Sequence, residues 1–459
     1  MSTSITLLVV AVLTVAGYYM GRRRALGTAD GLPARLHSLP SYYGYYVAIW
    51  CGLPTLALFV LWLILQPIIV DGLVISSLPA AQQDLPAERL GLLLNDIRNI
   101  AKGEAASEST PMVIAAAKRY NDLTGLGNWM LGACALALAA AGLVLARNKV
   151  APGLRARNSV ERILMGVLIL ASLLAILTTI GIVASLLFES LRFFEKVPFW
   201  EFLFGTKWSP QIAVRADQVG QSGSFGAVPI FAGTALITAI AMVVAVPVGL
   251  FSAIYLSEFA NPRLRATIKP AMEVLAGIPT VVYGFFAALT VAPAIREAGS
   301  EIGLSVAGES ALAAGVVMGV MIIPFVSSLS DDVISAVPQS LREGAYGLGA
   351  TKAETVRNVI VPAALPGIVG AVLLAVSRAI GETMIVVMAA GLAANLTANP
   401  LQAVTTVTVQ IVTLLIGDQE FESAKTLAAF ALGLVLFGFT LCLNVIALRI
   451  VRRYREKYE

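Results

Sequence analysis

Charged side chains are scarce in this sequence. Asp, Glu, Lys and Arg together make up 13% of the 459 residues, whereas a typical soluble domain carries about 25%. Residues with hydrophobic side chains account for 58%. So few charges cannot cover the water-exposed surface of a soluble protein of this length, and the composition therefore predicts an integral membrane protein.

Histidine, paired cysteines and nucleotide-binding loops are also missing. His37 is the only histidine, which excludes H-E-x-x-H zinc sites and multi-histidine metal centres. Three cysteines, Cys51, Cys134 and Cys442, lie in separate apolar segments without C-x-x-C spacing. No G-x-x-x-x-G-K-S/T loop occurs, so the chain cannot by itself hold nucleotide phosphates in a P-loop. We expect no catalytic residue, no metal and no bound cofactor in this chain, and any ATP site would lie on another subunit.

Nine apolar runs are long enough, or nearly so, to cross a bilayer as a helix of about 20 residues. Because these runs are continuous, they differ from the alternating pattern of transmembrane strands. The predicted fold class is therefore all-α and polytopic. The predicted spans cover residues 5–20, 45–70, 129–146, 163–188, 228–255, 274–295, 312–329, 366–392 and 427–450.

The loops between the predicted spans differ in charge on the two sides. The first span has no basic residue before it and is followed directly by Arg22, Arg23 and Arg24. This order predicts a retained anchor with the N-terminus outside and the C-terminus in the cytoplasm. With that orientation the inner loops carry 20 basic and 10 acidic residues, and the outer loops carry 11 and 17. The chain therefore obeys the positive-inside rule.

The predicted spans fall into two groups, which a basic connector around residues 151–162 separates. We assign residues 1–160 to an N-terminal extension with three spans and a polar outer segment at residues 71–128. Residues 161–459 form a six-span domain. Its fourth span is followed by a long cytoplasmic loop at residues 330–365.

Two helix starts are predicted in the 330–365 loop, each with the S/T-x-x-E pattern of a capping box. The two pairs are Ser340 with Glu343 and Thr351 with Glu354. Gly347 and Gly349 are predicted to end the first helix, and Pro362 is predicted to end the second. A solvated connector is the alternative, but two capped helices on a membrane surface favour docking onto a partner.

This loop resembles the EAA motif of permease subunits in ABC importers, EAA-x3-G-x9-I-x-L-P. The matching residues are Glu343, Gly344, Ala345, Gly349, Val359, Val361 and Pro362. Gly344 replaces the usual Ala, and Val359 and Val361 replace Ile and Leu. In that family the loop follows the fourth core span and seats in a cleft of the ATPase subunit. Here it also follows the fourth of the last six spans.

Four further runs extend the resemblance to the PstC family of phosphate importers: FLFGTKW at 202–208, GSFGAVPI at 223–230, EVLAGIPTVVYG at 273–284 and SRAIGETM at 377–384. The resemblance covers the chain from about residue 161 onwards and implies a six-span, MetI-like permease core. It also implies a second homologous permease (PstA-like), a dimeric ATPase subunit (PstB-like) and an external phosphate-binding protein (PstS-like) as partners. Membrane lipid is expected around the chain, and no nucleic-acid partner is expected.

Two charges, Arg378 and Glu382, fall inside the predicted eighth span, four residues apart and so on one expected helix face. A charge at this depth is costly and usually faces a bundle interior or a water-filled cavity. One interpretation is a self-neutralised pair that holds helices together. The other is an anion path, in which the guanidinium offers paired donors to phosphate oxygens. Glu382 would then keep Arg378 from binding the anion too tightly. The resemblance favours the anion path, because charged residues at these positions are implicated in phosphate passage in the PstC family.

The predicted function is that of a permease subunit in the bacterial inner membrane, importing inorganic phosphate by ATP-driven alternating access. Arg378 and Glu382 are predicted on the substrate path. The predicted ATPase coupling residues are Glu343, Gly344, Ala345, Gly349 and Pro362. The alternatives are a permease for another oxyanion (molybdate, sulfate or phosphonate), an ion-gradient secondary transporter, and a membrane scaffold or sensor without transport.

Overall fold

The computed structural model describes residues 3–83, 86–103, 110–210, 223–416 and 422–455. The outer segment 71–128, the outer loops 189–225 and 393–425 and the C-terminal tail each contain residues that lie outside these ranges. Across the described residues the chain is mainly helical, and nine helices are long and apolar enough to cross a bilayer. The predicted all-α, nine-span fold class is confirmed.

The chain divides into two compact units, Met1–Ile176 and Leu177–Glu459. The boundary falls inside one long helix, Ala156–Phe194. The border that the sequence places after residue 160 stays a prediction.

Three long helices that pack against one another form the first unit. Small residues allow this close approach: a Cβ added to Gly44 would lie 2.6 Å from the Tyr18 ring, and one added to Gly142 would overlap the backbone of Trp50. The helices of this unit are α1 (Thr3–Thr28), α2 (Pro40–Ile75), α3 (Ala80–Gln83), α4 (Ala87–Lys102), α5 (Pro111–Lys149) and the beginning of α6 (Ala156–Phe194), with a 3-10 turn at Pro33–Arg35.

The second unit contains the remaining helices and one pair of short antiparallel strands. These elements are the end of α6, α7 (Phe199–Phe204), β1 (Trp208–Ser209), β2 (Ser224–Phe225), α8 (Val228–Ile254), α9 (Pro262–Ala276), α10 (Thr280–Phe286), α11 (Ala292–Glu301), α12 (Ala311–Ser335), α13 (Gln339–Gly347), α14 (Lys352–Thr355), α15 (Val361–Ile380), α16 (Met384–Ala389), α17 (Val407–Leu415) and α18 (Ala424–Arg455). Three π-helical turns join consecutive helices at Tyr255–Phe259, Ala287–Val291 and Val356–Ile360. In the strand pair, Trp208 lies opposite Phe225 and Ser209 opposite Ser224.

The contact between α8 and α12 forms the centre of the second unit. Gly315 and Gly319 on α12 lie one turn apart against α8. A Cβ added to Gly315 would lie 2.7 Å from Cβ of Ile240, and one added to Gly319 would lie 2.8 Å from Cβ of Val244. Small-x-x-x-small pairs let membrane helices approach closely. This small-residue pair therefore serves helix packing, as its spacing predicts.

Two of the predicted spans are displaced along the chain. The sixth runs over Thr280–Glu301, later than the predicted 274–295, because the amphipathic helix α9 ends at Ala276 and Pro279 precedes a new helix start. The eighth runs over Lys352–Ile380, earlier than the predicted 366–392. This second displacement changes the surroundings of the predicted site residues.

Candidate functional site

The first helix of the 330–365 loop is α13, and it begins differently from the prediction. Pro338 occupies the N-cap position, so Ser340 lies inside the helix and forms no cap with Glu343. The predicted capping box at Ser340 is therefore wrong, because a proline at this point already sets the start of the helix. The predicted end is confirmed: α13 stops at Gly347, and Gly349 has a φ of +86°, a backbone conformation that favours glycine.

The second helix of the loop begins as predicted. Thr351 accepts a hydrogen bond from the backbone N–H of Glu354, and the Glu354 carboxylate accepts one from the backbone N–H of Thr351 at 2.8 Å. The predicted end at Pro362 is wrong, because the helical run continues from Lys352 to Ile380. The π-helical turn Val356–Ile360 ends two residues before Pro362. Its altered hydrogen-bond pattern lets the helical run continue although Pro362 has no backbone N–H to donate. The second helix of this loop and the eighth span are therefore one continuous element.

The loop presents a surface that the chain itself does not cover. Glu343, Gly344 and Gly349 are exposed, and Ala345 is half-buried. Leu348 is 91% exposed. A Cβ added to Gly344 would meet no atom within 4 Å, so the alanine usual in the EAA motif would fit here. These exposed residues are therefore left uncovered by the described part of the chain.

Arg342 joins this loop to the membrane helices, a role that the sequence alone does not predict. Its guanidinium donates to the Glu258 carboxylate at 3.1 Å and to the carbonyl oxygens of Ile334 and Val337 at 2.8 Å each. Only 13% of the Arg342 side chain and 8% of the Glu258 side chain are exposed. The pair therefore connects α13 to the turn after α8 and to the end of α12. A single sequence gives no signal for it, because 84 residues separate the two side chains.

A second buried carboxylate, Asp331, connects α12 to the amphipathic helix α9. Arg265 donates to both of its oxygens, at 2.9 and 3.0 Å, and Lys269 donates at 2.7 Å. The hydrogen bond to Asp331 raises the pKa of Lys269 above its usual value. Both basic residues thus have a structural partner in addition to their contribution to the charge asymmetry of the loops.

Arg378 lies in the last turn of α15, level with the middle of α12. Its guanidinium carbon is 5.6 Å from the centroid of the Phe325 ring, and Phe325 lies about midway along Ala311–Ser335. Near the other end of α15, Gly367 packs against Val333, close to the end of α12. The two helices therefore run antiparallel, and Arg378, near the end of the eighth span, lies level with the middle of the seventh.

Glu382 does not share a helix face with Arg378, and that prediction is wrong. Helix α15 ends at Ile380, and Glu382 lies in the break before α16. Its carboxylate accepts hydrogen bonds from the backbone N–H groups of Met384 at 3.1 Å and Ile385 at 3.5 Å. A carboxylate is stabilised at the N-terminus of a helix by these free N–H groups and by the helix dipole. This local interaction competes with the continuation of α15.

The guanidinium of Arg378 has no carboxylate partner in the part of the chain that the structure describes. Arg378 is exposed in the isolated chain, and the self-neutralised pair with Glu382 is not formed. Phe325, the ring that Arg378 contacts, also lines a cavity of about 220 Å³. The polar residues around this cavity are Lys269, Glu273, Ser327, Ser328 and Asp331. Arg378 thus contacts an aromatic ring, and that ring lines a partly polar cavity.

Other polar side chains meet the same region and were not found from the sequence. Thr408 donates a hydrogen bond to the backbone oxygen of Glu382 at 3.0 Å. Ser377 donates to the side-chain oxygen of Asn444 at 3.1 Å, which connects α15 to α18. A polar residue inside an apolar run, such as Asn444, is the signal that identifies such a contact.

Comparison with known proteins decides the family. Residues 7–178 match the family described as phosphate ATP-binding cassette transporter, and residues 245–456 match the binding-protein-dependent transport system inner membrane component. The chain is 33% identical over 296 residues to the phosphate transport system permease protein PstC of Mesorhizobium japonicum, covering 60% of this chain and 85% of that protein. The chain belongs to the PstC family of permeases.

A second relative agrees with this membership. The permease is 36% identical over 236 residues to the probable ABC transporter permease protein YqgH of Bacillus subtilis, covering 51% of this chain and 72% of that protein. A chain of the inward-facing MetNI methionine ABC transporter matches at 20% identity with a TM-score of 0.37, over 50% of this chain and 94% of that one. By its family membership, the protein is a multi-pass membrane permease of the ABC transporter class, which works with an ATPase and a substrate-binding protein.

Proposed function

We propose that this PstC-family permease forms the phosphate path of its importer by alternating access, with Arg378 as the residue that contacts the passing anion. Membership of the family makes the chain a permease subunit for inorganic phosphate. The observation that carries the role of Arg378 is its guanidinium, which lies level with the middle of α12 and has no carboxylate partner among the described residues.

The chemistry of Arg378 suits a transient contact with phosphate. A guanidinium presents a planar fork of donors that matches two phosphate oxygens. Phe325 holds this group by a cation–π contact, which contributes only about 0.5–2 kcal/mol and leaves the positive charge in place. Conduction requires binding strong enough for entry and weak enough for release. An arginine on an aromatic ring meets that requirement better than one neutralised by an acid.

Glu382 remains on the proposed path, with a different role from the predicted one. Its carboxylate is held by the N-terminus of α16, so it acts by fixing the break that separates α15 from α16. Broken helices that line a path are a recurrent feature of membrane transporters.

The continuous run Lys352–Ile380 supplies the mechanical connection. It begins in the loop and ends beside Arg378, so a movement of the loop reaches the substrate path without passing through a flexible linker. We place Glu343, Gly344, Ala345, Gly349 and Pro362 in the ATPase coupling surface. Arg342 and Glu258 transmit the same movement to α8 and α12.

The proposed assembly contains a second homologous permease (PstA-like), a dimeric ATPase subunit (PstB-like) that hydrolyses ATP, and an external phosphate-binding protein (PstS-like). The proposed orientation places the N-terminus outside and the C-terminus in the cytoplasm of a bacterium's inner membrane. We expect the chain itself to bind no cofactor.

Uptake of radiolabelled phosphate into proteoliposomes that contain the full complex tests the function. We expect uptake to require ATP and the binding protein, and excess unlabelled phosphate to compete. Stronger competition by molybdate, sulfate or a phosphonate would identify another oxyanion as substrate. Uptake driven by an ion gradient without the ATPase would contradict the proposal.

The coupling surface has its own test. Glu343→Lys reverses the charge on the exposed face of α13, so we expect the ATPase to dissociate from the membrane complex during purification. Gly344→Ala is the matched control, since the added methyl group meets open space, and it should purify with the ATPase as the wild type does. Normal ATPase content in the Glu343→Lys complex would exclude this face as the docking surface.

A further inference from the structure

An arginine-lined pocket lies in the first unit, far along the chain from the transport residues. Its volume is about 450 Å³. Arg23 and Arg24 reach it from the last turns of α1, and Arg147 reaches it from the end of α5. The remaining lining residues are Met20, Gly27 and Thr28. Residues 20, 23, 24, 27 and 28 share one face of α1 by helical spacing.

No acid neutralises this pocket within the described residues. The inner-loop segments next to it contain two acidic residues, Asp30 and Glu161. Asp30 pairs with Arg35 at 2.5 Å, and Glu161 pairs with Arg157 at 2.6 Å. Both carboxylates are thus engaged by arginines that do not line the pocket.

The Nε atom of Arg24 makes the pocket different from an ordinary basic surface. This atom is buried, and no hydrogen-bond partner is found for it among the described residues. Buried donors in native proteins nearly always have a partner, and an unsatisfied one points to a missing ion, water or ligand. The positive-inside rule explains why arginines lie at this end of the helices, but it does not require a buried donor beside a pocket.

We propose that Arg23, Arg24 and Arg147 form a binding site for a phosphate group, either the headgroup of an anionic phospholipid or free inorganic phosphate. A carboxylate is satisfied by one guanidinium fork, whereas the several oxygens of a phosphate can engage donors from different directions. Basic pockets between the inner ends of membrane helices are typical headgroup sites. The open space at Gly27 and the apolar Met20 leave room for the glycerol and the first carbons of a lipid.

Binding to the purified full-length permease tests the site, with no need for transport. Thermal unfolding midpoints are measured in detergent with dioleoylphosphatidylglycerol, with dioleoylphosphatidylcholine as the uncharged control, and with inorganic phosphate. We expect the wild type to be stabilised by the anionic lipid or by phosphate, and not by phosphatidylcholine. Stabilisation by the lipid alone identifies a headgroup site. Stabilisation by phosphate, with competition between the two, identifies a site open to the free anion.

Variants locate the binding. Arg24→Gln and Arg147→Gln should each weaken the apparent affinity at least about tenfold, since each removes charge-assisted hydrogen bonds. Arg155→Gln is the matched control: Arg155 is exposed, lies in the same inner loop and does not line the pocket. We expect its affinity to stay within about twofold of the wild type. Arg24→Lys keeps the positive charge but lacks the paired donors of a guanidinium. Its apparent affinity should therefore lie between that of Arg24→Gln and that of the wild type. An equal loss in Arg155→Gln, unchanged binding in both pocket variants, or no stabilisation by either phosphate-bearing probe would overturn the proposal.

Discussion

Arg342 and Arg378 lie in the same unit of the permease, and their guanidinium groups have opposite surroundings. Arg342 has a side chain that is only 13% exposed, and it is bonded to the Glu258 carboxylate and to two backbone carbonyls. Arg378 is exposed in the isolated chain and rests on Phe325. An arginine bonded to a carboxylate and to backbone carbonyls holds helices together, whereas one held only by an aromatic ring keeps its donors for a ligand. The set of partners, and not the residue type, separates the two roles.

The largest expected effect on stability belongs to the paired arginine. Arg342→Ala leaves Glu258 buried without its cation, which costs about 3–5 kcal/mol. The free energy of unfolding of the purified permease, or its thermal midpoint, measures this loss. Arg357→Ala removes an exposed arginine from the same loop and serves as the control. Equal midpoints for the two variants would show that the Glu258 pair does not fix α13.

Glu382 gives an intermediate effect, and its two variants separate its possible roles. Glu382→Ala removes the acceptor for the N-terminus of α16 and should destabilise the protein by about 1–3 kcal/mol. Glu382→Gln keeps an oxygen acceptor and loses only the charge, so it should retain most of the stability and of the phosphate uptake. If uptake by Glu382→Gln falls as far as that of Glu382→Ala, the charge itself acts on Arg378 and the capping role is insufficient.

The smallest effect concerns pH. Because the pKa of Lys269 is raised above 10.5 by its bond to Asp331, its contribution is fully present below pH 10.5 and is lost only as the pH rises through the higher folded value. The difference in thermal midpoint between wild type and Lys269→Met should therefore be the same at pH 7 and pH 9. A difference that shrinks at pH 9 would mean that this lysine loses its charge at a lower pH than its bond to Asp331 implies.

Features set by neighbouring residues could be predicted from the sequence. The nine spans follow from apolar length, the Thr351 cap from its glutamate three residues later, and the turn at Gly349 from the positive φ that glycine permits. The pair Gly315 and Gly319 follows from spacing alone. Each of these needs only local chemistry.

Features that depend on a competing local signal or on a distant partner could not be predicted. Pro338 starts α13 before Ser340 can cap it, and a π-helical turn carries the helix past Pro362. Glu382 binds the next helix and not the preceding one. The pairing of Arg342 with Glu258 and the contact of Arg378 with Phe325 join residues that are far apart in the chain. The spacing of Arg378 and Glu382 predicted a shared helix face, and the structure places the two residues on either side of a helix end instead.

Phosphate uptake by Arg378→Ala, measured in proteoliposomes alongside ATP hydrolysis and complex assembly, tests the central claim most directly. Loss of charge-assisted hydrogen bonds to the anion should lower uptake by at least about a hundredfold. The complex should remain assembled with its ATPase active, because the arginine has no structural ion pair in the described chain. Arg378→Lys should keep part of the uptake, since it retains the charge without the fork. Wild-type uptake by an assembled Arg378→Ala complex would contradict the account.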